Sequence, residues 1–258
     1  MSISVHALTR YPVKGLSGQA LESVQLNVGQ GFPGDRRFGF ARPDSGFDPL
    51  NPKPLAKTNF YMLALDAPLA LLSTHFDEAS GLLSISAPDT RETFAITTTE
   101  GRNKASRFLK TYLDLPEDET PMLFEASPHR FTDVSVVSTE MMNAVSLINL
   151  DSVAEFSSTT GHDIDPARFR GNIQISGLAP FSELEMVGQT ICLGGAKLKV
   201  VKRTQRCPAT TVNLQTGERD LKIPRLLREH YAHMDMGIYA EVTQAGVICL
   251  GDTTGAKR

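Results

Sequence analysis

Brief runs in which apolar or β-branched residues alternate with polar ones recur from end to end of this chain. Successive side chains of a strand point to opposite faces, so each such run marks a strand with one buried face. In the first half, "ISVHALTRYPV" and "LESVQLNVG" are predicted strands joined by "KGLSG", and "RRFGFAR" is another after the turn "GFPGD". "LALLSTHF", "GLLSISAP" and "ETFAIT" form a predicted meander. In the second half the predicted strands are "VSVVS", "NIQISG", "TICLGGAKLKVVKR" and "TTVN", with "GIYAEVTQAGVICLGD" as a closing hairpin. Between "RRFGFAR" and the meander, "PDSGFDPLNPKPLAK" is a predicted loop, because proline fixes φ and removes a backbone donor.

Helical periodicity is rarer. In "NKASRFLKTYLDL", Ala105, Phe108, Leu109, Tyr112 and Leu113 share one helical face. "DSVAEFSSTTG" is a second predicted helix, with Asp151 as N-cap and Gly161 past its end. "IPRLLREHYA" is a third, with Pro224 in the first turn, where a missing N–H costs little. Ser138 or Thr139 is placed to cap a further helix after "VSVV". Many short strands with few helices imply a mostly β fold of barrel type with peripheral helices. The acidic, proline-bracketed stretch "LPEDETP" sets the expected domain boundary, dividing 1–122 from 123–258.

Length and charge narrow the function. A chain of 258 residues is ample for a sizeable core. Its formal net charge of -3 lacks the basic excess expected of a general nucleic-acid binder. It contains no apolar run long enough to span a bilayer and no secretory leader pattern, so a cytoplasmic protein without membrane attachment is expected. The three cysteines, Cys192, Cys207 and Cys249, are odd in number and widely spaced, which fits free thiols in a reducing compartment.

Cys192 and Cys249 lie in apolar alternating runs and are expected to be buried, inert thiols. Cys207 differs. In "VKRTQRCPATTVN" it follows Arg206 and stands where a strand gives way to a turn at Pro208. A neighbouring cation favours the thiolate, the species that attacks electrophiles and binds soft metals. Local context leaves packing, nucleophilic and metal-ligand roles open, and consecutive strand residues face opposite sides, so Arg206 need not face the thiol. Lys14, Arg36, Arg37, Arg168 and Arg170 each stand at a turn or strand end beside small or amide residues. Guanidinium forks beside exposed backbone N–H groups suit a phosphate or a planar heterocycle. His230 and His233 are spaced i, i+3, without the further ligands a zinc site wants.

"YPVKGLSG", "GDRRF", "RFRGNI", "RTQRCPATTVNLQTG", "MGIYAEV" and "GVICLGD", in that order, resemble the MOSC family, named for the C-terminal domain of molybdenum cofactor sulfurase. The first half is similar to the family's N-terminal β-barrel domain. In layout the chain most resembles the mitochondrial amidoxime-reducing components and the bacterial members that reduce N-hydroxylated bases. The resemblance implies a molybdenum cofactor (molybdenum on molybdopterin) with Cys207 as the protein ligand to the metal. It implies that Lys14 and Arg36 lie near the cofactor phosphate, and that Arg170 and Asn172 contact the cofactor. Ser138 and Thr139 would meet the pterin side, Arg206 would join the cofactor contacts, and Tyr239 would stand close to the metal. The implied activity is reduction of N-hydroxylated or other N-oxygenated small molecules. No four-cysteine iron–sulfur motif follows "CLGD", so electrons are expected from a separate ferredoxin-, flavin- or haem-type protein. The alternatives are a non-catalytic carrier of the cofactor or of sulfur, and a cysteine-dependent hydrolase or redox sensor.

Overall fold

The computed structural model describes residues 2–254; Met1 and 255–258, at the outer ends of the two expected domains, lie outside the described residues. In chain order, the first half contains β1 (Ser4–Arg10), β2 (Gln19–Leu21), β3 (Ser23–Leu26), β4 (Phe38–Ala41), β5 (Ser73–Asp77), β6 (Leu82–Ala87), β7 (Thr90–Ala95), α1 (Thr99–Tyr112) and β8 (Met122–Glu125). The second contains α2 (Thr139–Met142), β9 (Val145–Asn149), α3 (Leu150–Thr160), β10 (Ile173–Ser176), β11 (Thr190–Leu193), β12 (Ala196–Gln205), α4 (Ile223–Tyr231), β13 (Asp235–Gln244) and β14 (Gly246–Cys249). The mostly β architecture is the one the alternation implied.

Seven strands form the main sheet, in the order β11-β12-β13-β9-β10-β1-β2. The first strand of the chain is therefore built into the sheet of the second half, with Val5 opposite Ile175 and Leu8 opposite Ile173. β14 pairs with β3, Ile248 facing Val24, rather than folding back on β13 as a hairpin. Val5, Leu8, Leu26, Leu147, Ile173, Leu198, Ile238 and Ile248 fill the core these strands share. In the first half β5, β6 and β7 make the expected meander, onto which α1 packs Ala105, Phe108 and Leu109. Thr98 caps α1, its side chain accepting from Gly101 N.

Several local expectations fail for identifiable reasons. "VSVVS" is not a strand: Ser135 N and Val137 N bond back to Thr132 O and Val134 O, so tight turns use the groups a ladder needs. The strand here is β9, all five residues of which are buried between β13 and β10. A strand buried on both faces carries no alternation to read. Asp151 is not the cap of α3. Asn149 caps it, while the Asp151 carboxylate accepts from Gly177 N and ties the helix to the end of β10. Gly161 does end α3 in the left-handed conformation, as expected. "TTVN" supplies no strand beyond an isolated bridge from Val212 to Arg219, because Pro208 opens a 3-10 turn that takes up Thr210 and Thr211. β8 pairs with β4, so the expected boundary at 122/123 falls inside a strand of the first-half sheet. Among the described residues no helix is long and apolar enough to cross a membrane.

Candidate functional site

β12 ends at Gln205, and Arg206 and Cys207 carry the chain off the sheet. Cys207 is partly buried, and its carbonyl accepts from Thr210 N at 3.1 Å and Thr210 Oγ1 at 2.9 Å, fixing the turn behind it. The thiol opens on a cavity of about 310 Å³ lined by residues from both halves of the chain. Lys14, Arg36, Arg170, Asn172, Arg206, Cys207 and Tyr239 all line it. Seven of the nine residues that the resemblance implied thus line one cavity, and so does Arg168, whereas Arg37 pairs with Glu125 outside it.

Ser138 and Thr139 do not line this cavity. Ser138 Oγ accepts from Met141 N at 3.1 Å as the cap of α2, and Thr139 is exposed. The hydroxyls that do line it belong to Thr132, Ser146, Thr204 and Thr210. Neither flanking cysteine takes part. Cys192 is exposed, contrary to expectation, because β11 is an edge strand on which Ile191 and Leu193 take the inner face. Cys249 is partly buried.

Two arginines occupy unusual backbone. Arg36 and Arg170 both have positive φ, 46° and 51°, in the left-handed region that L-residues rarely adopt. Their guanidinium groups lie 4.4 and 4.2 Å from the centre of the Tyr11 ring. Arg36 Nη1 donates to both Asp35 oxygens, at 2.7 and 2.6 Å, and Nη2 to Arg170 O at 3.1 Å. Burial works against the Arg36 charge, but the Asp35 carboxylate prevails and raises its pKa. Arg170 has no such partner. Burial, and then the nearby Arg36 charge, push its pKa down to about 10. Backbone strain of this kind persists where surrounding structure holds it, and it clusters at functional sites.

The other expected cofactor contacts are engaged within the protein. Lys14 is buried and donates to Phe131 O at 3.1 Å and to Asp133 Oδ1. Burial lowers its pKa, with Asp133 opposing. Gly15 follows at φ 81°, where a Cβ would come within 2.9 Å of Tyr61 O, so the turn that aims Lys14 inward needs glycine. Asn172 staples three strands: Oδ1 accepts from Ser146 Oγ at 2.9 Å, and Nδ2 donates to Thr9 O at 3.1 Å. Arg206 spends its guanidinium on backbone carbonyls. Its Nε donates to Met236 O at 2.8 Å, its Nη1 to Phe169 O at 2.8 Å, and its Nη2 also to Met236 O. Burial lowers its pKa to about 10, against the pull of Tyr239 and Cys207. Tyr239 sits on β13 between Lys202 and Ser146, and burial raises its pKa.

Charged residues that the sequence did not single out also line the cavity: Asp35, Lys202 and Arg203, and above all Asp133 and Lys57. Asp133 accepts from Lys14 and, at 3.4 Å, from Lys57 Nζ. Burial would raise its pKa, but the two lysines hold it far below the usual carboxylate range. Lys57 comes from the end of the proline-rich segment and lines the cavity with Cys207; burial opposes its charge, but Asp133, and then Cys207, raise its pKa. No motif flagged either residue, since both were embedded in stretches that read as loop or strand. Thr204 was legible: it continues the inward phase of Leu198 and Val200 on β12.

Buried polar atoms usually have partners. Among the described residues, those lacking one are Arg10 Nε, Thr132 Oγ1, Arg170 Nη2 and Thr204 Oγ1. The last three all belong to residues of this cavity. Two hydroxyls and a guanidinium nitrogen are thus unspent around a volume that the Cys207 thiol also lines. That set suits a polar, anionic heterocycle together with a soft metal. Among the described residues no group of three or more His, Cys, Asp or Glu side chains is arranged to hold a metal ion.

Residues 2–120 match the family model of the MOSC N-terminal beta barrel domain, and residues 129–254 match that of the MOSC domain. The chain belongs to the MOSC family. The molybdenum cofactor sulfurase of Caenorhabditis elegans is 26% identical over 257 residues, spanning 94% of this chain and 34% of that protein. Mitochondrial amidoxime-reducing component 1 of Xenopus laevis is 28% identical over 171 residues, 58% of this chain and 49% of that protein. The chain therefore spans about a third to a half of the length of these relatives. The crystal structure of the YUAD protein from Bacillus subtilis is similar with a TM-score of 0.46 and 13% identity, over 98% of this chain and 94% of that one.

Proposed function

We propose that this MOSC protein is a molybdenum-cofactor oxidoreductase whose metal is held by Cys207. The observation that carries the reading is the cluster of unspent groups: Thr132 Oγ1, Thr204 Oγ1 and Arg170 Nη2 around the cavity that the Cys207 thiol enters. A buried donor or acceptor without a partner destabilises the fold by about 1–3 kcal/mol, so three at one place mark a site that is completed by a ligand. The thiolate is one metal ligand, and the remaining ligands come with the cofactor. When bound, the cofactor supplies a redox-active metal able to remove oxygen from a substrate. Arg170 and the two threonines would meet its polar edge, and the Tyr11 ring, within 4.4 Å of both the Arg36 and the Arg170 guanidinium, would help to place Arg170. Lys14 and Arg36, already committed to Asp133 and Asp35, contribute positive field rather than free donors. Arg206 braces the strand end that carries Cys207 by tying it to Met236 and Phe169.

The substrate class is N-hydroxylated or otherwise N-oxygenated small molecules, as the amidoxime-reducing relative suggests. In the net reaction the N–O bond breaks, and two electrons and two protons yield the reduced nitrogen compound and water. The electrons come from a separate ferredoxin-, flavin- or haem-type protein. We place this work in the cytoplasm, where a reducing environment keeps Cys207 free.

Expression in a host that makes the cofactor, followed by elemental analysis and release of the fluorescent pterin, tests the assignment. About one molybdenum per chain is expected by analogy with single-site members of the family. Cys207→Ala should lose the metal and the reduction of benzamidoxime by a supplied electron donor. Metal and pterin both missing from the wild type, or full activity in Cys207→Ala, would sink the assignment. Stoichiometric metal with no turnover on any N-oxygenated compound would favour the carrier reading instead.

A further inference from the structure

The cations of the cavity differ in how far the protein has already used them. Arg168 is paired with Asp220 through both terminal nitrogens, at 2.8 and 2.6 Å. Arg203 donates to Glu185 at 2.6 Å and to Leu184 O at 2.8 Å. Lys14, Arg36 and Arg206 are committed as described above. Lys57 is not. Its ammonium bears three donors, and its hydrogen bond among the described residues is a 3.4 Å contact to a carboxylate that Lys14 already holds. The side chain is 32% exposed, so it stands at the open side of the cavity.

The backbone beneath Lys57 is fixed. Phe60 N donates to Lys57 O at 3.1 Å, and Arg42 Nε donates to Thr58 O at 3.2 Å. Phe60 is buried against Phe131 and Phe47, with ring centres 5.3 and 5.9 Å away. Phe47 anchors the proline-rich segment itself, packing also on Phe124 and His129. A segment that reads as a featureless loop thus brings one cation to the cavity that Cys207 lines.

We infer that Lys57 is a specificity-determining residue that favours ligands bearing a negatively charged oxygen at the Cys207 end of the cavity. Resting on the proposed function, this narrows the substrates to N-oxygenated compounds that also carry a carboxylate or a comparable oxyanion. Lys57 and Cys207 line the same cavity of about 310 Å³, so a molecule that enters it to reach the sulfur comes within range of the Lys57 charge. At such a range in a partly solvated site, one favourable charge pair changes binding or encounter about three- to tenfold.

Cofactor-free protein provides the test. Iodoacetate and iodoacetamide alkylate the same thiolate, so the ratio of their rates cancels the thiolate fraction and reports the preference for negative charge. Peptide mass spectrometry reads the ratio at Cys207, with exposed Cys192 as an internal reference. Lys57→Met should lower the Cys207 ratio about three- to tenfold and leave the Cys192 ratio unchanged. Lys57→Arg should retain the preference, and raising the salt concentration should shrink it in the wild type. In cofactor-loaded protein, Lys57→Met should raise KM for 4-carboxybenzamidoxime more than for benzamidoxime. An unchanged ratio in folded Lys57→Met, or a wild-type ratio indifferent to salt, overturns the inference and leaves the cofactor assignment untouched. Absence of molybdenum does the reverse.

Discussion

Removing the Asp220 carboxylate should loosen the turn that follows Cys207. Arg168 is 5% exposed and donates Nη1 and Nη2 to the two oxygens of Asp220, at 2.8 and 2.6 Å, and Nη1 also to Thr210 O at 3.4 Å. The pair joins the 3-10 turn Pro166–Phe169 to the segment that runs on from Cys207. Asp220→Ala leaves the guanidinium buried with only a distant carbonyl. Breaking a fully buried pair costs about 3–5 kcal/mol. The Asp220 side chain is 33% exposed, so water can reach the bereft arginine, and the expected loss is about 2–3 kcal/mol. In a chain of this size that lowers the melting temperature by roughly 5–10 °C. The hydrogen bonds from Arg168, and then from Asn213, hold the Asp220 pKa below its ordinary value, despite the opposing effect of burial. A depressed carboxylate pKa stabilises the fold at pH values above the unfolded pKa of about 4, and that stabilisation is lost as pH falls through the folded value. The gap between wild type and variant should therefore be full at pH 7 and shrink below about pH 4. Calorimetric scans of both proteins across this range measure it. A gap under about 0.5 kcal/mol at pH 7, or one that persists undiminished in acid, refutes the reasoning.

Two further outcomes follow from the same contacts. Phe47→Ala should cost about 3–4 kcal/mol, because Phe47 is 8% exposed and packs against Phe60, Phe124, His129 and Phe131; chemical denaturation measures the loss, and faster tryptic cleavage after Lys57 reports release of the segment. Arg170→Met should stabilise cofactor-free protein by about 1 kcal/mol, since it removes a buried cation with an unpartnered nitrogen, and should weaken retention of the cofactor on gel filtration; a variant that is both less stable and fully loaded contradicts the role given to Arg170.

Much of this was legible in the sequence because it was local. Apolar runs marked β1, β4, the β5-β6-β7 meander, β12 and β13; β5 and the first half of β12 bury one face, whereas all four residues of β4 are buried. Cys207 stood out as the cysteine at a strand end rather than within an apolar run. The partners of the expected cations were not legible, because Lys14 meets Asp133 and Arg168 meets Asp220 only after the chain has folded. Nor could sequence foresee that β14 would leave its neighbour for β3, since both pairings satisfy the same alternating pattern.

The misplacement of Ser138 and Thr139 has a sharper cause. The chain offers two Val-Ser segments in succession, "VSVVST" at 134–139 and "VSLINL" at 145–150, each leading into a helix. By composition either is a strand that ends in a capped helix. Long-range pairing decides between them. Val145 lies opposite Ala240, and Leu147 lies between Ile173 and Ile238, so the second segment takes the central position in the main sheet. The first is left to turn, and its valines 136 and 137 remain more than half exposed. The serine that the sheet presents to the cavity is therefore Ser146, in the same Val-Ser pattern, and it is already bound to Asn172. A hydroxyl so engaged positions a neighbouring amide, whereas the buried hydroxyls of Thr132 and Thr204, also on the cavity, have no hydrogen-bond partner.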